Sequence, residues 1–330
     1  MDASSQNTSH SFDNPPTVSV TRCVDYQSEN LAPALSRNLA LLGGLESFLC
    51  KRDSVLLKPN FIAPKPPRNA VQTDPALILE MVKLIKDFGA RPFIADSPAW
   101  YDVFTCIKAL QLEEPLRKLQ VPVKALNKPQ RHKLAGSNIS ISTVALEADK
   151  IINMPKLKTH QQLTATFAVK NMFGCVCGKE KAYWHFAKGS SFRKFCRMLI
   201  EIYQLLHPVL NIIDCVVAME GNGPINGRPR PLGFLIAGVD PLACERVCCE
   251  LIQMNPDDVP LIRTARKLGF GCSDFQRINI VGDDYQPYIC PDFSPSIQTP
   301  LRFSLVHVYR SLTRQLLLLS KSSLGLKQPG

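Results

Sequence analysis

Apolar runs alternate with amphipathic stretches along most of the chain. Residues 54–60 (SVLLKPN) form a continuous apolar run that ends in polar residues. Residues 74–90 (DPALILEMVKLIKDFGA) follow with the periodicity of a helix, with Asp74 at the N-cap and Gly89 at the end. Residues 91–98 (RPFIADSP) then supply another apolar run. This order of strand, helix and strand predicts an α/β fold.

The same alternation recurs later in the chain. Residues 231–240 predict a strand, and residues 241–254 predict the helix after it. The alternating pattern of residues 139–143 (ISIST) indicates an edge strand or an antiparallel pair. Further strands are predicted at residues 121–127, 137–146, 149–155 and 210–219. We therefore expect a mostly parallel or mixed sheet that is flanked by helices.

The length and composition are those of a globular protein with one main domain. The chain has 330 residues, of which 45% are hydrophobic, so it can bury a large core. We expect a flexible N-terminus (1–17), an α/β domain (18–290) and a basic C-terminal segment (291–330). The N-terminus is polar and lacks the apolar core of a secretion signal, and the 12 cysteines never stand in C-x-x-C spacing. These features favour reduced thiols and a cytoplasmic location.

The charge of the chain favours anionic partners. Its 39 Lys and Arg against 28 Asp and Glu give a net charge of +11, which suits a small anionic molecule or an anionic surface. Residues 301–327 contain no acid and place leucines on one stripe, which predicts a basic amphipathic helix. We expect this helix to dock on the domain, to lie on an anionic membrane surface or to contact a protein partner. Nucleic acid is a weaker candidate, since the charge is dispersed and no recognition motif is found.

Polar residues follow the predicted strands at their carboxyl ends, where ligands bind in open parallel sheets. Asp96 and Asp240 each lie next to or near a proline, and their alternative role is to cap a helix or form a turn. For Asp240 we favour capping. The strand-end set comprises Lys58, Asn60, Asp96, Lys156, Lys158, His160, Asp214, Glu220, Asn222 and Asp240.

The segment 152–178 (INMPKLKTHQQLTATFAVKNMFGCVCG) concentrates cations and soft ligands after a predicted strand. Its lysines Lys156, Lys158 and Lys170, with Lys58 from an earlier strand end, are placed to converge on a phosphate or carboxylate. His160 would then act as an acid or base, and residues 164–174 are predicted to form a helix whose first turn faces the ligand. The alternative is that these lysines are solvated on a loop.

Metal binding is a second interpretation of the same segment. Cys175 and Cys177, together with His160 and His185, offer thiolate and imidazole ligands for a metal ion or an iron–sulfur cluster. However, C-x-C is tighter than the spacing of most structural zinc sites, and free cysteine is commonly a buried apolar residue. The two interpretations stay open at this point.

The glycine-rich residues 218–231 (AMEGNGPINGRPRP) form a second candidate segment. Glu220 and Asn222 stand at its start, and its glycines allow the backbone to approach a ligand closely. The segment matches neither a P-loop nor a dinucleotide-binding G-x-G-x-x-G motif. The alternative is a wide turn.

Seven segments together resemble a known family: LLKPNF, TDPALILEMVKLIKDFGA, ADSP, INMPKLKTH, LTATFAVKNMFGCVCG, AMEGNGPINGRP and AGVDPLACERV. Their order and spacing are similar to those of an uncharacterised bacterial and archaeal family, domain of unknown function number 362, over residues 50–285. Members of this family are often fused to a ferredoxin-like module with cysteine clusters, which implies a link to iron–sulfur proteins. This sequence contains no such module.

The lysine and histidine layout is also similar to that of the nickel-pincer lactate racemase family. There a lysine anchors an organic cofactor and a histidine contacts the metal, which implies that His160 or His185 is the acid or base. The likeness is one of layout and transfers no residue role.

We therefore predict an enzyme that acts on a small anionic metabolite at a strand-end site, with a metal ion or organic cofactor as a further expectation. The alternative is a non-catalytic iron–sulfur or redox accessory protein that uses Cys175 and Cys177. The predicted catalytic residues are His160, Lys158 and Glu220. The predicted cofactor-binding residues are Lys58, Asn60, Asp96, Lys156, Lys170, Asn171 and Asn222.

Overall fold

The computed structural model describes residues 14–98, 101–178, 180–187 and 192–297, with only the backbone at residues 182 and 185–187. The strands are β1 (Thr17–Arg22), β2 (Ser54–Pro59), β3 (Arg91–Asp96), β4 (Val123–Ala125), β5 (Pro129–Leu134), β6 (Ser137–Ser142), β7 (Lys150–Met154), β8 (Lys156–His160), β9 (Thr164–Thr166), β10 (Leu210–Glu220), β11 (Arg228–Gly238) and β12 (Asn279–Gly282). The helices are α1 (Ser28–Ala40), α2 (Pro75–Phe88), α3 (Val103–Ala109), α4 (Glu113–Lys118), α5 (Thr143–Leu146), α6 (Ala168–Asn171), α7 (Glu180–Ala187), α8 (Phe192–Leu206), α9 (Pro241–Leu251) and α10 (Pro260–Leu268).

A mixed, mostly parallel sheet forms the centre of the fold, as the sequence predicts. Its strand order is β12-β1-β11-β10-β7-β2-β3-β4. The strands from β10 to β4 pair in parallel, whereas β11 pairs antiparallel with both β10 and β1. β8 continues the chain beyond β7 and pairs in parallel with the second half of β10. The carboxyl ends of β2, β3, β8 and β10 therefore lie at one edge of the sheet, which we call the carboxyl edge.

Helices cover both faces of the sheet. Leu35 of α1 and Leu77 of α2 pack in one apolar cluster with Val55 and Leu57 of β2. Leu56, between them in the strand, belongs to the cluster on the other face, with residues of α8, α9 and α10. Because successive strand residues point to opposite faces, a strand buried on both sides is a continuous apolar run. This explains the pattern of residues 54–60.

Several predicted boundaries agree with the structure. α2 begins after Asp74, whose carboxylate accepts a hydrogen bond from Ala76 N at 2.9 Å, and ends at Gly89 in the left-handed region (φ 95°). β6, which contains most of residues 139–143, pairs antiparallel with β5 in a separate two-stranded sheet. Both local signals are confirmed.

The helix predicted at residues 164–174 is wrong in its first part. Thr164–Thr166 form β9, which pairs antiparallel with β8, and the helix begins only at Ala168. Branched threonines favour a strand, and the turn at residues 161–163 folds this strand back onto β8. The strand predicted at residues 137–146 is also too long, because α5 begins at Thr143.

The predicted basic helix at residues 301–327 lies outside the described residues. Among the helices that are described, none combines the length and apolar character needed to cross a membrane.

Asp240 caps α9, as the sequence favours. Its carboxylate accepts hydrogen bonds from the backbone N–H groups of Leu242 (2.8 Å), Ala243 (3.1 Å) and Cys272 (2.7 Å). One buried side chain thus fixes both the start of the helix and a later loop.

We expect Asp240→Ala to lower the free energy of unfolding by about 2 kcal/mol or more, because it leaves two buried N–H groups and one partly buried N–H group without their acceptor. The matched control is Asp102→Ala, which removes an exposed cap with one backbone hydrogen bond and should cost about 1 kcal/mol. Urea denaturation measures both values. Equal losses would contradict the role assigned to the Cys272 loop.

Candidate lysine site at the carboxyl edge

Lys58 and Asp96 form a buried ion pair between the ends of β2 and β3. Lys58 Nζ lies 2.9 Å from Asp96 Oδ1 and donates to the carbonyl of Pro59 at 2.7 Å. Asp96 Oδ2 accepts from the N–H of Phe61 at 2.8 Å. A Cβ at Gly174 would collide with Asp96 and would lie 2.7 Å from Lys58 Nζ, so the pair requires glycine at this position.

Lys156 and Asp214 form a second buried ion pair, between β8 and β10. The two residues stand directly opposite in the strand register, and Lys156 Nζ lies 2.9 Å from Asp214 Oδ2. Tyr26 completes the group: its hydroxyl donates to Asp214 Oδ1 at 2.6 Å and accepts from Lys156 Nζ at 2.7 Å. The same aspartate accepts from Asp74 N at 3.0 Å. The charge of Lys156 is thus neutralised within the chain.

Among the described residues, no aspartate or glutamate pairs with Lys158 or Lys170. In that part of the chain, Lys158 Nζ donates to two neutral oxygens, Asn60 Oδ1 and the carbonyl of Val71, the latter at 2.7 Å. Within the described residues, Lys170 makes no hydrogen bond or ion pair. Burial, and next the charge of Lys170, hold the pKa of Lys158 well below its usual value, and desolvation lowers the pKa of the partly exposed Lys170 to about 8.

A chain of asparagines supports Lys158. Asn60 Nδ2 donates to Asn171 Oδ1 at 2.7 Å, Asn171 Nδ2 donates to Asn153 Oδ1 at 2.8 Å, and Asn153 Nδ2 donates to Asn211 Oδ1 at 2.9 Å. These side chains belong to the loop after β2, to α6, to β7 and to β10. An amide both donates and accepts, so the chain is satisfied without any charge. It fixes Asn60, and through it Lys158.

His160 lies on the same side of β8 as the lysines, because residues 156, 158 and 160 alternate with their neighbours. The ring is buried, and its Nδ1 accepts from the N–H groups of Gln162 (3.1 Å) and Leu163 (3.3 Å). In the neutral ring the proton therefore lies on Nε2, which is a hydrogen-bond donor.

Glu220 and the glycine loop (residues 221–227) lie beside β8, where Thr159 Oγ1 donates to the carbonyl of Gly221 at 2.8 Å. The two carboxylate oxygens of Glu220 accept from Arg228 Nε (2.7 Å) and Ser294 N (2.9 Å). The carboxylate is thus committed to an anchoring role, and the prediction of a catalytic Glu220 has no support in this geometry. The loop and the lysine segment are thus neighbours, and the exposed Asn222 accepts a hydrogen bond from Gln161 of that segment.

Cys175 and Cys177 are both buried, and Cys175 is close enough to Lys58 and Asp96 for their charges to act on its thiol. Burial raises the pKa of the Cys175 thiol to about 12 and also raises that of Cys177, which disfavours the thiolates that metals bind. In the part of the chain that the structure describes, no three His, Cys, Asp or Glu side chains are grouped as metal ligands. A metal or cluster site at Cys175 and Cys177 therefore stays a prediction, because the described residues supply no third ligand. The side chain of His185 is not among the described residues.

Sequence reasoning missed two contributors. Tyr26 lies in the loop before α1 and reaches the site only through the fold. Lys181 of α7 is buried, donates to the carbonyls of Val176 (2.9 Å) and Ser97, and has its pKa lowered by burial to about 8. No sequence feature near Tyr26 identifies it as a site residue. For Lys181, the only indication in the sequence is that it follows the lysine-rich segment.

The fold and this arrangement define an α/β protein with a lysine-rich site at the carboxyl edge of its sheet. A family model described as Domain of unknown function (DUF362) matches residues 55–250. A protein described as thylakoid-associated, from Synechocystis sp. (strain ATCC 27184 / PCC 6803 / Kazusa), is 33% identical over 297 residues, which cover 89% of this chain and 92% of that protein. The chain therefore belongs to the DUF362 family, and the resemblance seen in its motifs is confirmed.

Two solved structures match part of this chain. The lactate racemase apoprotein from Thermoanaerobacterium thermosaccharolyticum is 14% identical with a TM-score of 0.46, over 71% of this chain and 57% of that one. A structural-genomics target from Thermotoga maritima is 12% identical with a TM-score of 0.44, over 68% of this chain and 58% of that one. The matches thus span less than two thirds of either protein's length.

The difference between paired and unpaired lysines predicts opposite effects of one substitution. Lys156→Met should lower the free energy of unfolding by about 3–5 kcal/mol, because it leaves Asp214 buried without its counter-charge. Lys170→Met should leave stability unchanged or raise it at pH 7. The stability of Lys170→Met relative to the wild type should fall between pH 8 and 10.5. In this range the unfolded wild type holds a proton on Lys170 that the folded wild type has lost, so the wild type gains stability as the pH rises. Chemical denaturation at several pH values checks this, and equal destabilisation by the two variants would contradict the pairing described here.

Proposed function

We propose that this protein is an enzyme that acts on a small anionic metabolite at the carboxyl edge. The observation that supports the proposal is the unequal neutralisation of the lysines: Lys58 and Lys156 each contact an aspartate, whereas Lys158 and Lys170 contact none among the described residues. A desolvated ammonium group without a counter-charge is costly. A phosphate or carboxylate from outside the chain supplies that charge and is therefore the ligand that this site favours.

The residues take different parts in this proposal. Lys158 is held in place by Asn60 and Val71, which accept from two of its N–H donors; a bound anion favours its protonated form, whose third N–H is then directed to the ligand. Lys170 has all its donors available within the described residues, so it can close on the bound anion. The neutral ring of His160 carries its proton on Nε2, which favours the role of hydrogen-bond donor or acid among the two roles, acid or base, that the sequence left open.

Other residues of the site have a structural role in this proposal. The Lys58–Asp96 and Lys156–Asp214 ion pairs support the ligand-binding residues and stay intact, because breaking either pair leaves a buried charge. Glu220 positions the glycine loop beside β8 and transfers no proton in this scheme.

Sulfate and phosphate should raise the melting temperature of the wild type above that in chloride of equal ionic strength. An anion at 100 times its Kd stabilises the folded state by about 2.7 kcal/mol. Lys170→Met should lose most of this increment, whereas the control Lys133→Met, at an exposed position of β5, should keep it. The increment should decline as the pH rises past 8, because Lys170 then loses its proton. Thermal unfolding followed by fluorescence measures it, and equal increments in wild type and Lys170→Met would sink the proposal.

We further propose that residues 301–327 bring the enzyme to an anionic membrane surface. The segment is basic, free of acids and amphipathic in its sequence pattern, and a relative is described as thylakoid-associated. Surface binding of this type is electrostatic and apolar at once, and it needs no membrane-spanning helix.

The full chain should co-sediment with vesicles rich in phosphatidylglycerol and much less with pure phosphatidylcholine, and salt should weaken the binding. Replacing Arg310, Arg314 and Lys321 by Gln should reduce binding severalfold. The matched control replaces Lys108, Lys118 and Lys133, three exposed lysines of the α/β domain, by Gln. If both sets of substitutions reduce binding equally, net charge and not this segment is responsible.

A further inference from the structure

Lys170 differs from the other lysines of the site in two ways: its amine makes no hydrogen bond or ion pair within the described residues, and its backbone is held in place. Lys58 and Lys156 are in ion pairs, and Lys158 and Lys181 donate to oxygens of the chain. Lys170 makes no polar contact within the described residues, and its side chain is partly exposed. Among the described residues, it is therefore the lysine of this group whose nitrogen can bond to an incoming molecule without first breaking a hydrogen bond or ion pair.

The short helix α6 around Lys170 is held at each of its other residues. Asn153 Nδ2 donates to the carbonyl of Ala168 at 2.9 Å, and the N–H of Val169 donates to Glu245 Oε1 at 2.9 Å. The side chain of Asn171 donates to Asn153 Oδ1 at 2.8 Å. Since the backbone is anchored on both sides, the Lys170 side chain moves from a defined position.

We propose that Lys170 is a covalent attachment site for substrate, where it forms an imine with a small aldehyde or ketone that also carries a phosphate or carboxylate. Lys158, on whose pKa the charge of Lys170 acts more strongly than that of any other lysine, would hold the anionic group beside it. The inference deepens the proposed function and rests on it, because it names a carbonyl-bearing anion as the substrate class.

The proposed step needs no co-reactant. The neutral amine of Lys170 adds its electron pair to the carbonyl carbon, and a proton moves from the nitrogen to the carbonyl oxygen, which gives a neutral carbinolamine. A proton from solvent then lets the hydroxyl group leave as water while the nitrogen donates its pair again, and a protonated imine remains. Desolvation supports the step, since an amine whose pKa is lowered to about 8 is neutral in a large fraction near that pH.

Pyridoxal 5′-phosphate, an aldehyde with a phosphate group, is a suitable probe, with borohydride to reduce the imine and peptide mass spectrometry to locate it. Lys170 should be labelled roughly tenfold faster than the exposed Lys133, because far more of its amine is neutral. Labelling should rise from pH 6 to 8, sulfate should compete with it, and pyridoxal without phosphate should react more slowly. Labelling of Lys170 no faster than that of Lys133 would overturn the inference.

Lys170→Arg separates this inference from the proposed function. Arginine keeps the positive charge but forms no imine with the probe, so the variant should retain stabilisation by sulfate and lose the label. If sulfate stabilises the wild type and this variant while the wild type takes no label at Lys170, the anion site stands and the imine is refuted. If Lys170 is labelled but sulfate neither stabilises nor competes, the anion site is refuted, and with it the substrate class named here.

Discussion

Burying ammonium groups at the end of a sheet is the constraint on which this structure depends. Parallel strands carry the residues that follow them to one edge, and here four strands deliver lysines or aspartates to that edge. An isolated charge in such surroundings costs several kcal/mol. The chain meets this cost with an aspartate from a neighbouring strand for Lys58 and for Lys156, and with neutral oxygens for Lys158.

The features around the site follow from that constraint. Gly174 packs against the Lys58–Asp96 pair because a side chain there would displace it. Asparagines, which both donate and accept, join β7, β10 and α6 to the loop after β2 and satisfy one another without adding charge. The result is a rigid polar layer under an edge that retains positive charge. Rigid groups of this kind bind a ligand with little loss of side-chain entropy.

The cysteines and the glycine loop have a different place in this arrangement. Cys175 and Cys177 are buried, and burial favours the neutral thiol at both positions. The glycine loop is tied to β8 by Thr159 and to residue 294 through Glu220, which closes the same end of the sheet. The candidate site at this end therefore combines lysine amines, asparagine amides and the imidazole of His160.

The sequence by itself determined the α/β class, the parallel strands and the edge at which the site lies. Apolar runs, the Asp74 cap and the Gly89 end are local signals, and polar residues after strands identify the carboxyl edge without any knowledge of pairing. The sequence was a less reliable guide where a predicted helix competed with strand pairing. Residues 164–166 were predicted to begin a helix, but they pair with β8 as a strand.

Only the tertiary structure decided which of the lysines carry uncompensated charge. Lys156 and Lys158 are two residues apart in the same strand, yet one faces Asp214 in the register of β10 and the other faces neutral oxygens. Tyr26 likewise enters the site from a loop 188 residues before Asp214. Charge pairing depends on strand register and on contacts between distant segments, and no spacing within the sequence encodes either. Lysines that look equivalent in the sequence therefore have different partners in the fold.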